Sequence, residues 1–150
     1  MGDYTASIGT TGYDYTVTLK TNRVEFSLPP TGAFVRDPAV VRALDITDGL
    51  SHTLFVGEKY IPRGMELSYP YDCNLYDGHN MVCSTRAAGP GFPIAAAPDD
   101  PRLLFGGPHT GICLFVFADG AVHPVRTSID ENVLGLLSHR ADGLPSPSDY

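Results

Sequence analysis

The sequence predicts an α+β domain: a mainly antiparallel β-sheet, a long irregular excursion, and a C-terminal helix packed on the sheet. Three observations lead there. The 150 residues include 16 glycines and 13 prolines, which favour turns and short strands over long helices. The apolar run from Ile112 to Ala118 closes on Asp119-Gly120, a strong hairpin signal. Beyond it, apolar residues recur at helical spacing from Ile129 to Leu137.

Taken in order, residues 4–9 form a short strand that ends in the turn Gly9-Thr-Thr-Gly12. Alternation at Tyr15, Val17 and Leu19, then at Val24, Phe26 and Leu28, predicts a hairpin with one wet face around Thr21-Asn22-Arg23. Pro29-Pro30 ends it, because neither residue can donate to a sheet ladder. Residues 37–44 have the spacing of one or two helical turns, stopped by Asp48-Gly49, and Thr53–Glu58 reads as a buried strand. Residues 62–101 carry prolines at 62, 70, 90, 93, 98 and 101 and read as irregular. The run Ile112–Ala118 is apolar on both alternating faces, as for a strand covered on both sides, and Ala121–Arg126 returns beside it. Ser128 and Glu131 have capping-box spacing. The helix they begin buries Ile129, Val133, Leu136 and Leu137 and ends by Gly143, leaving 144–150 as a frayed tail.

An apolar fraction of 43% over 150 residues suits a single domain, 1–150, that buries roughly 70% of its unfolded surface. A net charge of −7 with no cluster of Lys or Arg excludes nucleic acid as a partner. No apolar run approaches the roughly 20 residues of a bilayer span, so no membrane insertion by this chain is expected. The start, Met1-Gly2-Asp3, carries no signal peptide.

The loop Asp72–Asn80 holds the densest set of polar side chains. Asp72, Asn74, Asp77, His79 and Asn80 around a glycine suit calcium or another divalent cation; the alternative is Asx turns capping their own backbone. Arg86 nearby would anchor a carboxylate or pair with Asp77. Cys73 and Cys83 flank this loop; they either form a disulfide, worth about 2–3 kcal/mol, or stay as free thiols. Cys113 reads as a core residue. His109 follows Gly106-Gly107-Pro108 and is either a structural hydrogen-bonder or part of a site. Asp119 is the first residue of the tight turn or a cation ligand at its tip. About 33 Å of extended chain would separate these two residues, so they cannot share one ion. Asp48, Ser51 and His52 have the residue types of a hydrolytic triad, but their close spacing points to capping of the next strand. His139-Arg140 places positive charge at the end of the last helix.

Three segments carry a resemblance: DITDGLSHTLFVGEK at 45–59, NLYDGHN at 74–80 with Arg86-Ala-Ala-Gly-Pro90, and FGGPHTGICLFVFADGAV at 105–122 running on to 143. His109 stands ten positions before Asp119-Gly120. The chain resembles the prepilin-type processing-associated H-X9-DG family, a domain of unknown function. Three departures are His52 in place of the usual Asn, Thr110 in place of the usual Pro, and His123-Pro124 in place of a more ordinary strand pair. Full members start with a leader and a long apolar helix, so the resemblance is to the C-terminal part only. It implies an extracytoplasmic location in the cell envelope or at the surface, with protein partners or self-assembly. The resulting expectation is a non-enzymatic, pilin-related structural or assembly module whose neighbours contact Tyr4, Tyr13 and Tyr15. The alternative is a metal-dependent enzyme or a small-ligand or glycan-binding domain that uses Asp77, His79, Arg86 and His109.

Overall fold

The computed structural model describes residues 3–11, 15–18, 23–26, 28–35, 39–74, 76, 80–145 and 150. Its elements are β1 (Tyr4–Ser7), β2 (Tyr15–Thr18), β3 (Arg23–Phe26), β4 (Leu54–Glu58), α1 (Met81–Ser84), β5 (Thr85–Arg86), β6 (Ile112–Phe117), β7 (Val122–Arg126) and α2 (Glu131–Ser138). Single 3-10 turns at Ala43–Asp45 and Leu50–His52 precede β4. Five strands form one sheet in the order β5-β1-β4-β6-β7, and β2 pairs with β3 apart from it. Every pairing is antiparallel except that of β1 with β5. This is the expected α+β architecture.

β6 is interior to the sheet because it is apolar enough to be flanked and covered. Its alternation sends Cys113, Phe115 and Phe117 into the core, where they meet Leu54, Val125, Leu134 and Leu137. Each such large side chain contributes roughly 1.5–3 kcal/mol by leaving water. The opposite face, Ile112, Leu114 and Val116, is half-buried rather than fully covered, which corrects the two-sided reading. Gly120 closes the β6–β7 hairpin at φ 88°, and the Asp119 carboxylate accepts the Ala121 amide at 2.9 Å. β7 lies at the sheet edge, where the missing amide of Pro124 costs no ladder bond.

Several expectations are corrected by tertiary contacts. The helical turns expected within 37–44 reduce to the 3-10 turn Ala43–Asp45; residues 36–38 lie outside the described residues. The N-cap of α2 is Asp130, not Ser128: its carboxylate accepts the Asn132 and Val133 amides. Glu131 instead reaches the Gly91 amide at 2.7 Å, drawn there by the approach of the excursion. The buried face of α2 is Leu134, Gly135, Leu137 and Ser138 rather than Val133 and Leu136: Leu134 and Leu137 enter the core, and Ser138 Oγ donates to the Ala88 carbonyl at 2.7 Å. Tyr150 stacks on Phe117 at 5.4 Å between ring centroids, and residues 146–149 of the tail lie outside the described residues.

The irregular stretch 62–101 contains α1 and β5, which the sequence reading did not anticipate. β5 adds to β1 as a parallel edge of only two residues, too short to leave a periodic signal. Cys73 and Cys83 form a disulfide across this stretch.

The Asp130 carboxylate is held below its ordinary pKa by the two backbone amides it caps, and the Asp45 carboxylate is lowered to about 2 by Arg42. Folded-state values below the unfolded ones mean stability that is present above about pH 4 and lost as pH falls through the folded values. Asp130→Ala should lower the melting temperature by a few degrees at pH 7 and by less at pH 2.5; equal losses at both pH values in a melting series would contradict the cap. Replacing both Cys73 and Cys83 by Ser should cost about 2–3 kcal/mol in urea unfolding, the loop-closure contribution of a ten-residue link.

Candidate functional site

The end of β4, the start of β1 and the segment leading into β6 meet at a cleft of about 700 Å³. Tyr4, Glu58, Tyr60, Arg63, Glu66 and His109 supply its polar and aromatic lining. A smaller cavity of about 290 Å³ shares Tyr60 and His109.

Glu58 organises this corner. Its backbone carbonyl accepts the Gly106 amide at 3.0 Å, which brings the 105–109 segment against the sheet. Its side chain is only 9% exposed. One carboxylate oxygen accepts the Leu114 amide at 2.8 Å, and the other lies 3.2 Å from His109 Nε2. The carboxylate fits because residue 107 is glycine: a Cβ there would stand 2.3 Å from Glu58 Oε2. His109 is 46% exposed, so it has one edge on a buried carboxylate and the other in the cleft.

Lys59 and Tyr60 fix the adjoining walls. Lys59 Nζ donates to the Cys73 carbonyl at 3.0 Å and so ties the disulfide loop to β4. Burial lowers its pKa, reinforced by the nearby Arg86 guanidinium. Tyr60 Oη donates to the Ala97 carbonyl at 2.8 Å and accepts the Asp100 amide at 3.0 Å, and burial raises its pKa. The described cleft lining offers an imidazole, carboxylates, a guanidinium and phenols, but neither serine nor cysteine. These groups, with the Lys59 amine, can make hydrogen bonds and transfer protons.

The residues singled out in the sequence do not all meet here. Arg86 is fully buried and donates to the carbonyls of Val82, Thr85 and Tyr71; it braces the excursion instead of facing the cleft. Asp72 is buried and accepts the Leu67 amide at 2.9 Å. Asn74 closes an Asx turn onto the Tyr76 amide at 3.0 Å. Asn80 is the N-cap of α1, with no side-chain cap bond. Asp77 and His79 lie outside the described residues. Asp119 sits in the turn beyond the far end of β6 from His109. Asp48 does not cap the next strand; it accepts the Asp142 and Gly143 amides, ninety-odd residues further on. Arg140 donates to the carbonyls of Pro30 and Gly32 rather than to the end of α2. Cys113 is buried, and burial pushes its thiol pKa well up, so it is an inert core residue.

Of the cleft residues, the sequence reading named His109 as a site candidate and Tyr4 only as part of a contact surface. Glu58 was visible merely as the end of a strand, although the Gly106-Gly107 pair beside His109 marked a close approach.

A family described as "Protein of unknown function (DUF1559)" matches residues 2–132. The chain belongs to this family. The match covers most of the chain, from β1 through β7 to the start of α2, and so corrects the restriction to a C-terminal part. Neither the curated proteins nor the solved structures include a significant match.

Glu58→Ala should destabilise the fold by about 1–3 kcal/mol, because the buried Leu114 amide loses its acceptor. Glu58→Gln, which keeps an acceptor oxygen, should cost less, and the half-exposed His109→Ala within about 0.5 kcal/mol. Urea unfolding of the three variants checks this ranking.

Proposed function

We propose that this protein is a non-enzymatic, extracytoplasmic assembly module related to pilins, which contacts protein neighbours through its excursion. One observation carries the reading: Leu67 sits at φ 62° with its side chain 73% exposed, and the buried Asp72 carboxylate holds its amide. A left-handed backbone at a leucine costs on the order of 1–2 kcal/mol and is kept only where the surroundings enforce it. Here it holds an apolar side chain out in water. Met65, Tyr69 (67% exposed) and Tyr76 (92% exposed) accompany it on the same disulfide-braced stretch. Large exposed apolar groups of this kind are the usual material of protein contacts. The disulfide favours an oxidising compartment. Among the described residues no helix is long and apolar enough to cross a membrane.

The cleft supports a second reading, as a site for a small polar ligand with an apolar face, such as a sugar. Its volume lies within the range of small-molecule sites, and Tyr4 and Tyr60 flank Arg63, Glu66 and His109.

Leu67→Gly removes both the exposed side chain and the backbone strain. The assembly reading expects this variant to be at least as stable as the parent in urea unfolding, yet to lose association in sedimentation at increasing concentration. A parent chain that stays monomeric throughout, together with saccharide binding abolished by Arg63→Ala and His109→Ala, would favour the cleft reading instead.

A further inference from the structure

We propose that Asp48, His139 and Asp142 form a binding site for a divalent transition-metal ion of the zinc class. Each residue offers one donor atom, and the three donor atoms lie within 4.8 Å of one another. Around an ion with bonds of about 2.1 Å, donors at that spacing need to move inwards by about 0.7 Å or less. The donors come from two segments that the fold brings together: the loop between the two 3-10 turns, and the stretch just after α2.

The backbones beneath the donors are already fixed. The Asp48 carboxylate accepts the Asp142 amide at 2.7 Å and the Gly143 amide at 2.9 Å. Asp142 Oδ1 accepts the Leu144 amide at 2.7 Å. The His139 amide donates to the Gly135 and Leu136 carbonyls as the C-cap of α2. His139 Nδ1 accepts the Ala141 amide at 3.3 Å, a long, weak bond that an ion at the imidazole displaces. Arg140, the basic residue between the donors, is turned away onto the Pro30 and Gly32 carbonyls at 2.8 Å each. Among the described residues neither carboxylate makes an ion pair. Two carboxylates this close repel each other, and a divalent ion removes that repulsion.

The donor set also decides the kind of ion. Calcium and magnesium take oxygen donors almost exclusively, whereas an imidazole beside two carboxylates suits zinc and its neighbours. Three protein donors leave a position for water. An ion here clamps the segment after α2 onto the loop that leads into β4. Asp48 lies within the stretch that matches the family, and His139 and Asp142 lie beyond its last matched residue. The site is separate from the 72–80 loop, where the sequence had placed a cation.

The test uses the full chain stripped with a chelator and dialysed, then titrated with zinc and, separately, calcium in a calorimeter, with melting temperatures recorded alongside. The expected result is one zinc per chain, a melting temperature raised by about 5 °C at saturating zinc, and no response to calcium. His139→Ala should weaken zinc binding at least about 100-fold, more than the loss of an outer partner costs. Asp142→Asn should weaken it too, while His109→Ala leaves it unchanged. Circular dichroism of each variant in chelator must match the parent, so that a lost site is told apart from a lost fold. Absence of zinc binding by the folded parent, binding undiminished in His139→Ala, or binding lost in His109→Ala would each overturn the proposal.

Discussion

Pairing of β4 with β6 is the constraint on which the rest of this molecule depends. β6 carries Phe115 and Phe117 into the core, and β4 holds it there through a register that shifts between Leu54 and Val56. At the open end of this pairing the carbonyl of Glu58 is taken by the Gly106 amide, so the Leu114 amide turns to the Glu58 carboxylate. A ladder position has become a buried acid, and that acid then reaches His109. The cleft exists because the segment before β6 must cross the end of β4 to enter the sheet.

The excursion is irregular in secondary structure but held by its polar groups. Arg86 collects three carbonyls, Asp72 holds the strained Leu67 turn, Lys59 holds the Cys73 carbonyl, and the disulfide closes the loop between. A buried guanidinium is costly unless its donors are satisfied, and the free carbonyls of an irregular stretch are what can satisfy it. Charge here serves as scaffold. The same residue types looked like ligand donors in the sequence because local spacing is alike for an Asx turn and a cation loop.

Much of the fold was legible in the sequence. The hairpin of β6 and β7 rests on an apolar run and a tight Asp-Gly turn, both local. β4 was read as a short buried strand and the β2–β3 hairpin from short-range alternation, although the side-chain faces of that hairpin lie outside the described residues. The cap and face of α2 differ from the sequence reading: Asp130 takes the amides expected of Ser128, and Glu131 and Ser138 bond to Gly91 and Ala88 in the excursion, distant in sequence. β5 was invisible because two residues have no period.

The sequence by itself determined the class of the fold, the interior strand and the tight turns, because each rests on interactions between residues near in the chain. Tertiary structure decided which polar residues serve the scaffold and which face the cleft, since Glu58 meets His109 and Leu114 across about fifty positions and Asp48 meets Asp142 across ninety-four. A carboxylate's role is set by the donors that surround it, and those donors are named only when the chain closes on itself.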